Sequence, residues 1–283
     1  MRFVVDKSIK EDPNISSAEH SPLKIAASSY LNSAPLIWSF LHGSMRDAVD
    51  FVEAVPARCA QLLSQSAVEV ALVPVIEYQR IPNGSLIPDV CVGSKEEVRS
   101  VVLVSKDREL ADIRTVALDE SSRTSATLVK IIFREFLGHE PEWTTQSPNL
   151  AEMLERYDAA LMIGDPAMVF PRAGLKVWDM ARLWRNYTAL GFVFAMWMVS
   201  DSAIEHSRTV DFRAARNEGV RCKGEIVDHY QKLLGLSRES LQHYLDENIC
   251  FEVDPQLRAG LDLYFQLAHK HGLIPQVNAW KSL

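Results

Sequence analysis

The 283-residue chain has no surplus of basic residues: 30 Lys and Arg stand against 37 Asp and Glu, a formal net charge of −7. Without a basic stripe, nucleic acid and anionic membrane surfaces are excluded as partners. Long apolar runs are also missing. The longest uncharged one, LGFVFAMWMV from Leu190 to Val199, is about half of what a bilayer span requires and predicts a buried strand. The four cysteines, Cys59, Cys91, Cys222 and Cys250, are far apart and form no CxxC pair; each is expected as a small buried or half-buried side chain. No GxGxxG, Walker, HExxH or GxSxG pattern occurs, and HKH at 269–271 lacks a third ligand, so neither a metal nor a cofactor is expected. Residues 1–22 carry charges at Asp6, Lys7, Lys10, Glu11 and Asp12. They contain no uninterrupted apolar stretch of roughly 7–15 residues, which predicts a flexible arm and a cytoplasmic protein rather than a secreted one.

What is present is ordinary globular composition, 47% hydrophobic and 24% charged, with length for about two domains. Strand-like and helix-like stretches alternate, which is the α/β pattern. LKIAASS, DFVEAV, VEVALVPV, SVVLVSK, TVALD, AALMIGD and LGFVFAMWMV read as strands. APLIWSFLHG, with Ser33 as cap and Pro35 in the first turn, reads as a helix, as do PARCAQLLSQS and NLAEMLERY. From Asp201 onward the chain is amphipathic helices that should pack back onto the first domain. SVVLVSK and GFVFAMWMV flank a middle block, residues 107–198. Two crossings of this kind predict the two-lobed type II periplasmic-binding-protein fold, with residues 23–106 plus 199–283 as one lobe. A small ligand would then sit in the cleft near the carboxyl ends of the strands.

The stretch DESSRTSATLVKIIFREFLG concentrates hydroxyls where a helix should begin. Leu128, Ile131, Ile132 and Phe136 fall at helical spacing, with Gly138 as the stop, so the helix starts at about Thr124. Its first-turn amides lack intrahelical partners and the helix dipole adds roughly half a positive charge there. Thr124 and Ser125 could therefore receive a carboxylate without a lysine, or could merely cap the helix. In SSYLNSAP, Asn32 either shapes the turn through a left-handed backbone or extends its amide into the cleft. In MIGDPAM, Gly164 and Asp165 follow a strand end, as a glycine turn with a capping aspartate or as a carboxylate beside the ligand. Ser100 stands at the first crossing. Trp184 and Thr188, in WRNYTALGF, could line the cleft near the second.

YLNSAPL, ALVPVIEY, SVVLVS, SSRTSATLVK, LMIGDPAM and DMARLWRNYTALGFVFAMW appear together in this order, from about Leu23 to Val199. In this the chain resembles the chorismate dehydratases, first enzymes of the futalosine route to menaquinone. The resemblance implies a cytoplasmic two-lobed fold and removal of water from chorismate, a dianion, to give 3-[(1-carboxyvinyl)oxy]benzoate. It implies functional positions at Asn32, Ser100, Thr124, Ser125, Gly164 and Asp165, with either Asp165 or the substrate's own enolpyruvyl carboxylate as base. The chain departs from the family pattern at Val75, where a serine is usual, and at Ala189 and Gly191, where TGLPF is usual. Such a protein would act as a monomer or homodimer. The alternatives are the sister enzyme that makes 1,4-dihydroxy-6-naphthoate and a non-catalytic receptor for a small anionic solute.

Overall fold

A computed structural model describes residues 21–281, so the expected arm falls, up to residue 20, outside the described residues. The chain begins with β1 (Leu23–Ala27), α1 (Ala34–Leu41), β2 (Val49–Glu53), α2 (Pro56–Ser64), β3 (Val70–Pro74) and β4 (Gly84–Ser94). It continues through β5 (Val101–Ser105), β6 (Thr115–Asp119), α3 (Thr124–Ile131), β7 (Glu142–Gln146) and α4 (Leu150–Arg156). β8 (Ala159–Ile163), α5 (Pro166–Val169), β9 (Lys176–Asp179), α6 (Met180–Thr188) and β10 (Phe192–Ser200) follow. The remainder is helical: α7 (Ile204–Ser207), α8 (Phe212–Arg221), α9 (Lys223–Leu234), α10 (Arg238–His243) and α11 (Pro255–Lys270). Among the described residues no helix is long and apolar enough to cross a membrane.

The strands form two five-stranded sheets, in the orders β2-β1-β3-β10-β4 and β7-β6-β8-β5-β9. In the first, β1 runs parallel to β2 and β3, while β10 is antiparallel to β3 and β4. The second repeats the scheme: β6 is parallel to β7 and β8, and β5 is antiparallel to β8 and β9. This is the two-lobed α/β architecture expected. The lobe boundaries differ from the expected ones. β5 already belongs to the second sheet and β10 already belongs to the first, so the chain crosses between Ser94 and Val101 and again between Thr188 and Phe192. Both runs are apolar because each is an interior strand paired on both edges and covered on both faces, not because it spans the gap.

Each crossing contains a non-glycine residue in the left-handed region, Arg99 at φ 57° and Ala189 at φ 60°. Conformations of this kind persist only where neighbours hold them. The Arg99 amide donates to Asp179 Oδ2 at 2.6 Å, and the Ala189 amide closes helix α6 on the Arg185 carbonyl at 2.7 Å. The family's usual glycine at the second of these positions fits the φ found there.

The helical tail reaches further than expected. Helix α11 packs on β10 of the first lobe, yet Tyr264 from its middle donates to the Thr124 carbonyl of the second lobe at 2.9 Å. At its end, Lys270 and His271 both meet Glu135 at 2.7 Å. The tail is thus a strap over both lobes.

Candidate active site

The carboxyl ends of the parallel strands β1, β3, β6 and β8 converge on a small cavity of about 60 Å³ between the lobes. Its floor is apolar: Leu72, Val92, Val101, Ile163 and Phe194. Its rim is polar and comes from three turns. The β1–α1 turn gives Ser28, Tyr30, Asn32 and Ser33; the β6–α3 turn gives Ser121, Ser122 and Arg123 and leads to Thr124 and Ser125; the β8–α5 turn gives Gly164. Of the residues expected from sequence, Asn32, Thr124, Ser125 and Gly164 line the cavity.

Helix α3 starts at Thr124, as its apolar spacing predicts, and its chain continues as a wider π turn to Leu137, stopped by Gly138 at φ 73°. The amides of Thr124, Ser125 and Ala126 have no intrahelical acceptor at this end. The helix has no side-chain cap, so the hydroxyls are not spent on capping. Ser125 is only 4% exposed. The Thr124 hydroxyl accepts the Ile76 amide at 3.3 Å, which leaves its own proton free to donate into the cavity. Ser121 donates instead to Asp119 Oδ1, at 2.6 Å. Burial pushes the Asp119 carboxyl above the usual range, opposed by the Ser121 hydroxyl and amide.

Arg123 was not singled out from the sequence. Its guanidinium meets Glu77 Oε2 at 2.7 Å, while Arg80 meets Glu77 Oε1 at 2.9 Å. The Glu77 side chain is 3% exposed, so two arginines flank one buried carboxylate. Of the three, only Arg123 lines the cavity. Val75, where the family has serine, is fully buried and lies outside the cavity wall.

Asn32 does not have the left-handed backbone that would make it a mere turn residue. Its side chain makes no hydrogen bond among the described residues and faces the cavity. Ser33, expected as a helix cap, makes no capping bond; its hydroxyl donates to the Ser28 carbonyl at 2.7 Å.

Four other expected residues stand outside the wall. Ser100 is buried, its hydroxyl accepting from Tyr244 Oη at 2.6 Å and its carbonyl accepting the Gly164 amide at 2.8 Å. The Thr188 hydroxyl donates to the Trp184 carbonyl at 2.8 Å, which finishes α6. Trp184 is fully buried in the core and donates to the Gly191 carbonyl at 3.1 Å. Asp165 sits at the start of α5 without capping it. Its Oδ1 reaches across to the other lobe and accepts the Leu31 amide at 2.9 Å. Burial raises its carboxyl to about 6, only partly offset by that bond. Among the described residues no three His, Cys, Asp or Glu side chains are grouped to hold a metal ion.

A cleft between two mixed sheets, with helix amino termini turned toward it, defines a periplasmic-binding-protein-like molecule. Solved structures share this fold. A protein of Archaeoglobus fulgidus superposes with a TM-score of 0.71 at 16% identity, over 90% of this chain and 100% of that one. The alkanesulfonate-binding protein of Xanthomonas axonopodis pv. citri, bound to MOPS, gives 0.67 at 14% identity, over 92% and 96%. Sequence is more specific than fold. The profile of the menaquinone biosynthesis family matches residues 23–270, and the chain belongs to that family. A chorismate dehydratase of Thermus thermophilus is 30% identical over 263 residues, 86% of this chain and 94% of that protein.

Proposed function

We propose that the protein is a chorismate dehydratase. The observation that carries this is the 30% identity to the Thermus enzyme along nearly its whole length, combined with a hydroxyl-rich helix start in the interlobe cavity. Chorismate has one carboxylate on the ring and one on the enolpyruvyl arm. Removing the C3 hydrogen pushes electrons through the ring toward the ring carboxylate. Loss of the C4 hydroxyl as water then makes the ring aromatic and gives 3-[(1-carboxyvinyl)oxy]benzoate. Aromatisation supplies the drive; the protein lowers the barrier to proton loss.

Thr124, Ser125 and the first amides of α3 hold the ring carboxylate and stabilise the charge that builds there. Donors fixed in advance are worth about 3 kcal/mol each when aimed at developing charge. Asn32, with both a donor and an acceptor free, orients the arm and the C4 hydroxyl. Ser100 supports the wall from behind through the Gly164 amide. The cavity, at about 60 Å³, is smaller than the roughly 300 Å³ typical of small-ligand pockets, so the lobes part to admit substrate and close around it. The base is the substrate's own enolpyruvyl carboxylate, because the cavity rim is built mostly of neutral donors suited to a dianion.

The test is incubation of purified protein with chorismate and mass spectrometry for loss of one water. Unchanged chorismate sinks the proposal and favours the second reading, a receptor for a small anion, which the sulfonate-binding fold relative supports. In the same assay Asp165→Asn distinguishes the bases: abolished turnover with retained binding makes Asp165 the base.

A further inference from the structure

The β1–α1 turn is gripped by both lobes. Tyr230 of α9 donates to the Ser29 carbonyl at 2.7 Å, and two residues later Asp165 of the opposite lobe accepts the Leu31 amide. Between these two bonds the Tyr30 ring lies directly on Gly164. A Cβ built on Gly164 would stand 2.6 Å from Tyr30 Cδ2 and Cε2, a distance no side chain tolerates. Gly164 also has φ 67°, so both its backbone and its missing side chain suit this contact. Tyr30 and Gly164 line the cavity and Asp165 does not.

From this we infer that Asp165 is a positioning residue: by holding the Leu31 amide across the cleft it keeps the Tyr30 ring seated on Gly164, as the part of the wall that shuts over the bound anion. This rests on the dehydratase reading for the identity of the anion, but the contact itself does not. A carboxylate serves here because it accepts strongly from a backbone amide.

Two measurements on three proteins test it: wild type, Asp165→Ala and Asp165→Asn. Asparagine keeps an oxygen that can accept the Leu31 amide; alanine does not. Amide hydrogen exchange without ligand should show Leu31 exchanging about tenfold faster in Asp165→Ala, the worth of one hydrogen bond to a charged group, with protection restored in Asp165→Asn. The KM for chorismate should rise about tenfold in Asp165→Ala with kcat moving much less, and Asp165→Asn should bring KM back. Because Asp165 caps no helix, alanine removes no bond inside its own lobe's helices. Tyr30→Ala, which leaves Asp165 intact, should raise KM in the same way. Wild-type exchange at Leu31 in Asp165→Ala overturns the inference, and so does a protected Leu31 in Asp165→Asn accompanied by the KM of the alanine variant. If wild type leaves chorismate unchanged, the dehydratase reading falls, while the exchange comparison still judges the contact.

Discussion

The two sides of the cleft are held together differently. On the α3 side, the lobes meet through the Arg123–Glu77–Arg80 cluster, the Ile76 amide on Thr124 and the Tyr264 hydroxyl on the Thr124 carbonyl. On the α5 side they meet through the amide–carboxylate bond of Leu31 and Asp165, the Tyr30 ring resting on Gly164, and the buried Tyr244 hydroxyl on Ser100. The first contact buries charge and fixes the residues that would grip an anion. The second has no counterpart of that charge cluster. The proposed anion site is thus anchored by the buried charge cluster, and the proposed closing wall lies on the side without one.

The largest effect should come from the anchored side. Ser125→Ala removes a donor at the helix start without touching the contacts that hold α3, and should lower kcat/KM for chorismate about a hundredfold. Steady-state kinetics check this, and a wild-type value would move the anion elsewhere. Next in size is Glu77→Gln, which takes the charge from between two arginines. Breaking a buried pair costs about 3–5 kcal/mol; both arginines are partly exposed, at 34% and 40% of their side chains, so about 2 kcal/mol is expected, measured by urea unfolding. Asp165→Ala should cost far less stability. Equal losses in the two variants would erase the contrast between the sides.

A further effect is a dependence on pH. The Asp165 carboxyl is raised from 3.8 to about 6 in the folded protein, by burial above all. The folded state therefore binds the proton more tightly than the unfolded chain does. Stability from this group falls as pH rises through the window from about 4 to 6, and the penalty is complete above 6. Asp165→Asn should accordingly be more stable than wild type at pH 7, with the gap closing toward pH 4. Thermal unfolding of both proteins across that range measures it. A constant gap would mean that Asp165 has its ordinary carboxyl.

Much of this was legible in the sequence, for reasons that can be given residue by residue. The apolar spacing after Arg123 fixes where α3 begins, and the pair Gly164–Asp165 marks a strand end. β4 was not legible because Pro88 and an Asp89 with φ 61° interrupt it; its pairing with β10 skips from Leu86 to Cys91. The short edge strands β7 and β9, EWTTQ and KVWD, carry too little apolar alternation to announce themselves. At the site, Tyr30 and Arg123 carry no local sequence signal of their roles. A ring's use as a wall and a guanidinium's tie to Glu77 depend on residues far away in the chain. Ser100 and Thr188 illustrate the converse, since no local pattern tells that a hydroxyl will be taken by Tyr244 or by the carbonyl of Trp184.

The Tyr264 hydroxyl on the Thr124 carbonyl ties the last helix to the first residue of α3 across nearly half the chain. Any drift in the length or pitch of that helix is felt at the opposite lobe within one bond. Grafting the carboxy-terminal third of one relative onto another therefore transplants a spacer as well as a surface, and such chimeras should tolerate exchange only when both halves of that contact travel together.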